Sequence, residues 1–209
     1  MGLKLGEDAP NFKALSTEGE LVLYDYLGNS WGMIFSHPGA FTPVCTTELG
    51  EVAKLKEEFD RRGVKILGLT TDQLETINDW VLDINETQNC TINYPIVADS
   101  DYAVSSLYGM IHPQASATFT VRSLYIISPN REIKLKITYP ASLGRNFKEI
   151  LRALDGLQLS AEHNVSLPVN WQHGEDVIVS PTISTDQALG QFPKGVKVVK
   201  PYLRYTPQP

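Results

Sequence analysis

Residues 30–48 read SWGMIFSHPGAFTPVCTTE, and the two halves of this stretch obey different periodicities. The first, SWGMIFSHP, is a short apolar run of strand formers closed by Pro38 and Gly39. From Thr42 the pattern turns helical: Leu49, Val52, Ala53, Leu55 and Phe59 share one apolar face, and Gly63 marks the stop. A buried strand running into an amphipathic helix is the opening of a layered α/β unit.

The alternation continues along the chain. VKILGLTTD, residues 64–72, reads as a buried strand, and LETINDWVLDI, residues 74–84, returns to helical spacing with Leu74, Ile77, Trp80, Val81 and Ile84 facing inward. YPIVADS at 94–100 is another short strand, followed by a helix through YAVSSLYGM at 102–110. VRSLYIIS at 121–128 and EIKLKITYP at 132–140 flank the turn PNR, a hairpin signal. RNFKEILRALDGLQ then gives an amphipathic helix closing at about residue 158.

Composition changes after that helix. From about Val165, Pro and Gly recur, and DVIVSP at 176–181 is the one strand-like run. This part reads as an extended arm or small second domain, too poor in apolar residues to stand alone, that packs on its own domain or on a partner subunit. The expected organisation is an α/β domain over residues 1–160 and a C-terminal extension or small second domain over 161–209 that contributes to a homodimer.

The totals exclude several classes. The 209 residues are 42% hydrophobic and 20% charged, the balance of a soluble globular chain able to bury a core. A net charge of -6 without a compensating basic run argues against a general nucleic-acid or anionic-membrane binder. No apolar stretch approaches the roughly 20 residues of a membrane span. The N-terminal MGLKLGEDAPNF is interrupted by acids and a proline before a signal-like region forms. Position 6 is Gly rather than Ser or Thr, which argues against myristoylation. Two cysteines are too few for a disulfide scaffold, so a cytoplasmic, reducing location is expected. The N-x-[ST] matches at Asn85, Asn89 and Asn164 are then chance.

Cys45 stands in an unusual frame, P-x-x-x-T-x-x-C, formed by Pro38, Thr42 and Cys45. One reading makes it a small buried hydrophobe. The other makes it a thiolate. Thr42 is a good N-cap and Pro43 a favoured first helical residue, which puts Cys45 third in the helix among free backbone N–H groups. A free thiol is only a few per cent ionised near neutral pH, and about 2.7 kcal/mol is needed for the thiolate to dominate. A helix terminus supplies about 0.3–1 kcal/mol, rarely about 2. A second cation is therefore required, and arginine suits because it stays charged and donates several hydrogen bonds. Spacing alone does not say which arginine.

HPGAFTPVCTTELG, extended by NSWGMIFSHP, resembles the active-site signature of the peroxiredoxins. YPASLGRNFKEILRALDGLQL, PVNW and the terminal YLRYTPQP are similar to the one-cysteine branch, the peroxiredoxin 6 group, so that the resemblance spans nearly the whole chain. It implies a thioredoxin-like fold and reduction of hydrogen peroxide and organic hydroperoxides, with Cys45 becoming a sulfenic acid. In that reading Thr42 hydrogen-bonds the thiolate or peroxide, Pro38 shields the sulfur, Arg122 supplies the missing cation and Arg145 lines the pocket and orients Arg122. His37 lies near the pocket as polar packing at the strand end. No metal or organic cofactor is implied.

The resemblance also implies an external thiol, glutathione foremost, as the reductant. Cys90, in NETQNCTINYP, has no resolving motif around it and reads as structural. GNSWG at 28–32 competes as a G-x-S-x-G nucleophile elbow, and the peroxiredoxin 6 group is associated with phospholipase A2 activity at this serine. Here Tyr24 stands where the partner histidine is expected and Asn130 where the aspartate is expected. A tyrosine is a poor base near neutral pH and an asparagine brings no charge, so a Ser30 hydrolase is disfavoured. A thioredoxin-type reductase would need C-x-x-C, but position 48 is Glu. His37, His112, His163 and His173 have no zinc-ligand spacing with the cysteines.

Overall fold

The computed structural model describes residues 2–209. It opens on an antiparallel hairpin, β1 (Lys13–Ser16) and β2 (Gly19–Val22), followed by α1 (Leu23–Leu27) and β3 (Trp31–Ser36). Then come α2 (Pro43–Lys54), α3 (Lys56–Arg61), β4 (Val64–Thr70), α4 (Leu74–Gln88), β5 (Ile96–Ala98) and α5 (Ala103–Leu107). The hairpin β6 (Arg122–Ile127) and β7 (Ile133–Tyr139) completes the sheet. The hairpin at the start of the chain was not legible in the apolar pattern.

These strands form one seven-stranded sheet in the order β2-β1-β5-β4-β3-β6-β7. β3 pairs parallel with β4, and β4 with β5, while β6 runs antiparallel to β3. The parallel centre explains the unbroken apolar runs of β3 and β4, since strands covered on both faces need no polar alternation. One face buries Ile34, Leu67, Leu69, Val97, Tyr125 and Ile127 beneath Leu23, Leu27, Tyr108 and Met110. Each such side chain contributes about 1.5–3 kcal/mol.

The helix expected between Thr42 and Gly63 is two helices. Leu55, at φ -89° and ψ 2°, leaves helical geometry between α2 and α3, a break that no Pro or Gly announces. Gly50 lets α2 and α4 approach closely: a Cβ there would lie 2.6 Å from both Cβ and Cγ of Gln88.

The remaining elements are α6 (Phe147–His163), β8 (Val165–Ser166), β9 (Val177–Val179), α7 (Thr185–Gln191), β10 (Lys197–Lys200) and β11 (Leu203–Thr206). The four strands form their own antiparallel sheet, β10-β11-β9-β8. Ser184 and Gln187 close a reciprocal capping box at the start of α7.

The region expected to be an extended arm or small second domain holds more buried apolar side chains than its composition suggests. Leu159, Val165, Trp171, Val177, Val179, Ile183, Ala188 and Phe192 pack into a cluster of their own. The chain divides into two compact units, one ending at Phe147 and the other running Lys148–Pro209. The division falls earlier than residue 160 because α6 gives Leu159 to the second unit's core. α6 also runs on to His163, past the expected end near residue 158.

Candidate active site

The sheet topology brings distant residues to one place. β3 ends at Ser36 and residues 37–42 carry the chain to α2, while β6 begins at Arg122 and runs antiparallel along β3. The start of β6 therefore lies beside the end of β3 and the first turn of α2. As the sequence requires, Thr42 is the N-cap of α2, Pro43 is its first residue and Cys45 its third. Thr42 has extended backbone, but its hydroxyl donates to Gly39 O at 2.8 Å instead of capping a helical N–H. The expected bond from this hydroxyl to sulfur is not among those formed.

Cys45 is 0% exposed. Arg122 Nη1 lies 3.3 Å from its Sγ and donates also to Glu48 Oε2 at 2.8 Å. Arg122 Nε and Nη2 both donate to Ala141 O, at 3.0 and 2.6 Å, which fixes the plane of the guanidinium. Arg145 grips the same carboxylate from the other side: its backbone N and Nε donate to Glu48 Oε1 at 2.8 and 2.9 Å, and Nη2 to Oε2 at 2.7 Å. Its Nη1 donates to Ser123 O, and its guanidinium lies over the rings of Phe35 and Phe147. Arg145 and Arg122 thus share the carboxylate of Glu48, and of the two it is Arg122 that bonds the sulfur.

Glu48 escaped the sequence reading. One turn beyond Cys45 on a helix, a glutamate reads as a solvated surface residue. Its position three residues after Cys45 on the same helical face was the available signal. Burial alone would push its carboxyl up, but hydrogen bonds and charge from Arg145, with the charge of Arg122 behind them, hold it below the usual carboxylate range. Arg122 and Arg145 bring two positive charges and Glu48 one negative, all buried. Only an anionic sulfur makes this group neutral, and an uncompensated buried charge is costly.

His37 is also fully buried, its ring 5.2 Å from that of Trp80 and 6.5 Å from that of Phe35. Burial foremost, then the charges of Arg145 and Arg122, lower its pKa to about 3. A neutral imidazole therefore faces the arginines, and neither ring nitrogen has a hydrogen-bond partner among the described residues. Trp80 Nε1 in turn donates to Thr46 Oγ1 at 3.1 Å, adjoining Cys45. Pro38 is half-buried in the connection between His37 and α2.

The remaining candidates lie apart from this constellation in character. Cys90 is half-buried after the end of α4, with Sγ 4.0 Å from Ile84 O. Burial pushes its thiol pKa up against the opposing charge of Lys54. Ser30 follows α1 and leads into β3, the reverse of the strand-then-helix setting of a nucleophile elbow. The Tyr24 hydroxyl is spent on Ala9 O at 2.8 Å, its ring is covered by Arg131, and Asn130 is exposed in the β6–β7 turn. Among the described residues, no group of three or more His, Cys, Asp or Glu is placed to hold a metal ion, and no helix is long and apolar enough to cross a membrane.

A cysteine in the first turn of a helix, held by a fixed guanidinium in a charge-balanced buried pocket, is an arrangement for nucleophilic thiol chemistry. Comparison with known proteins agrees. Residues 5–136 match the AhpC/TSA family, and residues 156–195 match the C-terminal domain of 1-Cys peroxiredoxin. A 1-Cys peroxiredoxin of Dictyostelium discoideum is 51% identical, over 99% of this chain and 86% of its own. The structure of a cysteine-to-serine mutant of the peroxiredoxin 6 of Arenicola marina superposes with a TM-score of 0.94 at 45% identity, covering 100% of this chain and 99% of that one. A yeast mitochondrial 1-Cys peroxiredoxin, whose structure addresses thiol resolution through glutathione and thioredoxin systems, gives a TM-score of 0.93 at 44% identity, covering 98% of this chain and 99% of that one. With its thioredoxin-like sheet, its single cysteine at a helix start and both family segments in order, the chain belongs to the peroxiredoxins of the AhpC/TSA family, in their one-cysteine branch.

Proposed function

We propose that Cys45 is the peroxidatic nucleophile of this thiol peroxidase and that Arg122 is its principal electrostatic partner. The observation that carries the assignment is the buried cluster of Cys45, Arg122, Glu48 and Arg145, which is neutral only with sulfur ionised. The thiolate attacks one oxygen of a hydroperoxide; an S–O bond forms as the O–O bond breaks. The departing oxygen takes a proton and leaves as water or an alcohol, and Cys45 is left as a sulfenic acid. Arg122 and the first-turn amides of α2 hold the peroxide in line and stabilise charge on the leaving oxygen. Thr42 and Pro38 shape the approach, Arg145 keeps Arg122 in place, and His37 packs behind the pocket without donating a proton.

An external thiol then attacks the sulfenic sulfur and releases water, and a second thiol frees Cys45. Glutathione is the proposed reductant, supported by the work on the yeast relative and by the raised pKa of Cys90, which suits a structural cysteine. A homodimer is proposed as well, with the C-terminal region 161–209, which lies within the second compact unit, contributing to it. Among the named strands β7 pairs with β6 alone; Gly6 and Glu7 bond its first residue, Ile133, and the partly exposed edge beyond suits pairing with a second copy. The two unpaired cysteines suit a reducing compartment, and the cytoplasm is the one proposed.

The decisive experiment is mass spectrometry of Cys45 and Cys90 after graded peroxide, with and without glutathione. Sulfenic acid confined to Cys45 and erased by glutathione supports the reading. Full peroxidase activity in Cys45→Ser overturns it.

A further inference from the structure

β10 has no buried face. It stands at the edge of the four-stranded sheet, paired with β11, and all four of its residues are exposed. Val198 and Val199 are 50% and 48% exposed, and Tyr202, in the turn to β11, is 73% exposed. Two β-branched residues favour an extended chain, but these two take no part in the cluster around Trp171 and Phe192. An apolar patch rimmed by polar residues is the mark of an interaction site, and here the rim is basic. The chain carries a net charge of -6, yet residues 187–209 hold Lys194, Lys197, Lys200 and Arg204 and no acid. Arg204 is buried, and Lys194 Nζ donates to Gln208 O at 2.6 Å. Lys197 and Lys200, at the two ends of β10, have no carboxylate partner among the described residues.

We propose that β10 is a docking edge for a short, extended, acidic segment of another protein, with acids opposite Lys197 and Lys200 and an apolar side chain against the two valines. A free edge offers backbone N–H and C=O groups, which an added strand uses for affinity while its side chains set specificity. The lysines decide what is added. A second copy laid antiparallel in full register would put Lys197 of one β10 opposite Lys200 of the other at both ends, and like charges directly opposite are destabilising. An acidic strand meets the same two positions with opposite charge. A bulge between Val198 and Lys200 interrupts the ladder with β11 and bends the strand. A long flat strand is therefore refused, and a short one is held largely by its side chains. The edge is closed to indiscriminate extension of the sheet and open to one charge pattern.

The test uses the full chain and a labelled hexapeptide with the core Glu-Val-Thr-Glu, with Lys-Val-Thr-Lys as its counterpart. Fluorescence anisotropy should show binding of the acidic peptide alone, weakening as salt rises, and NMR should place the shifted backbone amides at residues 197–203. Lys197→Glu with Lys200→Glu should lose the acidic peptide by roughly tenfold or more and gain the basic one. Lys197→Gln with Lys200→Gln should lose the first and gain neither, in a protein that melts as wild type does. Val198→Ser with Val199→Ser should weaken binding several-fold with both charges intact, which a purely ionic contact would not show. No binding at millimolar peptide, shifts elsewhere in the chain, or equal binding of the two peptides overturns the proposal. So does β10-dependent binding to vesicles of phosphatidylcholine and phosphatidylserine without binding of the acidic peptide, which would make the patch a lipid contact. Dissociation of a wild-type dimer by the lysine variants would make it a contact between copies and overturns the proposal as well.

Discussion

Arg122 reaches Cys45 without being free to follow it: Nη1 is 3.3 Å from Sγ, while Nε and Nη2 are both committed to Ala141 O. The cation is preorganised before any substrate arrives. Arg122→Ala should therefore slow both alkylation of Cys45 and peroxide reduction, the latter by roughly a hundredfold or more. Arg122→Lys should recover little, because a single ammonium cannot reproduce the planar fork. The pH dependence of alkylation and single-turnover kinetics check both; wild-type values in Arg122→Ala would remove this residue from the mechanism.

Glu48 is the hinge of the charge balance. Glu48→Gln breaks a buried ionic cluster and should cost about 3–5 kcal/mol of stability near neutral pH. The carboxyl is held below its ordinary value of 4.5 in the folded protein, so its contribution is present above that value and is lost as pH falls through the lowered one. Urea unfolding at a series of acidic pH values should show a steeper loss in wild type than in Glu48→Gln below about 4.5. Parallel curves would contradict the assignment.

His37 makes a second, separable pH signature. The unfolded chain protonates it near 6.5 and the folded protein only near 3, so the unfolded state binds the extra proton between these values. Stability must then fall as pH drops through that window, by up to about 1.4 kcal/mol per pH unit. His37→Phe should flatten the profile from 6.5 downward. An unchanged slope would place the titrating group elsewhere.

Cys90 should be dispensable. Cys90→Ser is expected to turn over hydroperoxide with an external thiol as wild type does. A stoichiometric Cys45–Cys90 disulfide, found by peptide mapping of dilute peroxide-treated protein, would make Cys90 a resolving residue and reverse this expectation.

Ser30 should contribute no esterase chemistry. Phospholipid hydrolysis by Ser30→Ala and wild type is expected to be equally at background, since Tyr24 is bonded to Ala9 O and Asn130 is exposed. Ser30-dependent release of fatty acid would show that some other group serves as its base.

What the sequence carried well was local. β3, the start of α2 and the β6–β7 hairpin follow from apolar runs, an N-cap Thr with Pro behind it, and a turn tripeptide. Each of these signals lies within a few residues of its effect. The break at Leu55 and the strands β10 and β11 were hidden, because neither depends on local pattern: β10, a pair of valines between two lysines, is wholly exposed and has no inner face. In the site, the resemblance pointed to Arg122, and helix arithmetic explained why a cation was needed. Glu48 stayed invisible because an acid's role is set by what it meets across the fold. Thr42 illustrates the converse: its place as N-cap was readable, while the direction of its hydroxyl was decided by Gly39.

Trp80 has one more consequence. Its indole N–H is bonded to the residue that follows Cys45, and its ring faces His37 across 5.2 Å. An indole is fluorescent and responds to nearby charge and hydrogen bonding. In the proposed peroxidase cycle each turnover oxidises the sulfur of the neighbouring residue, so the emission of this one side chain is expected to keep an optical record of that cycle, readable without any added dye.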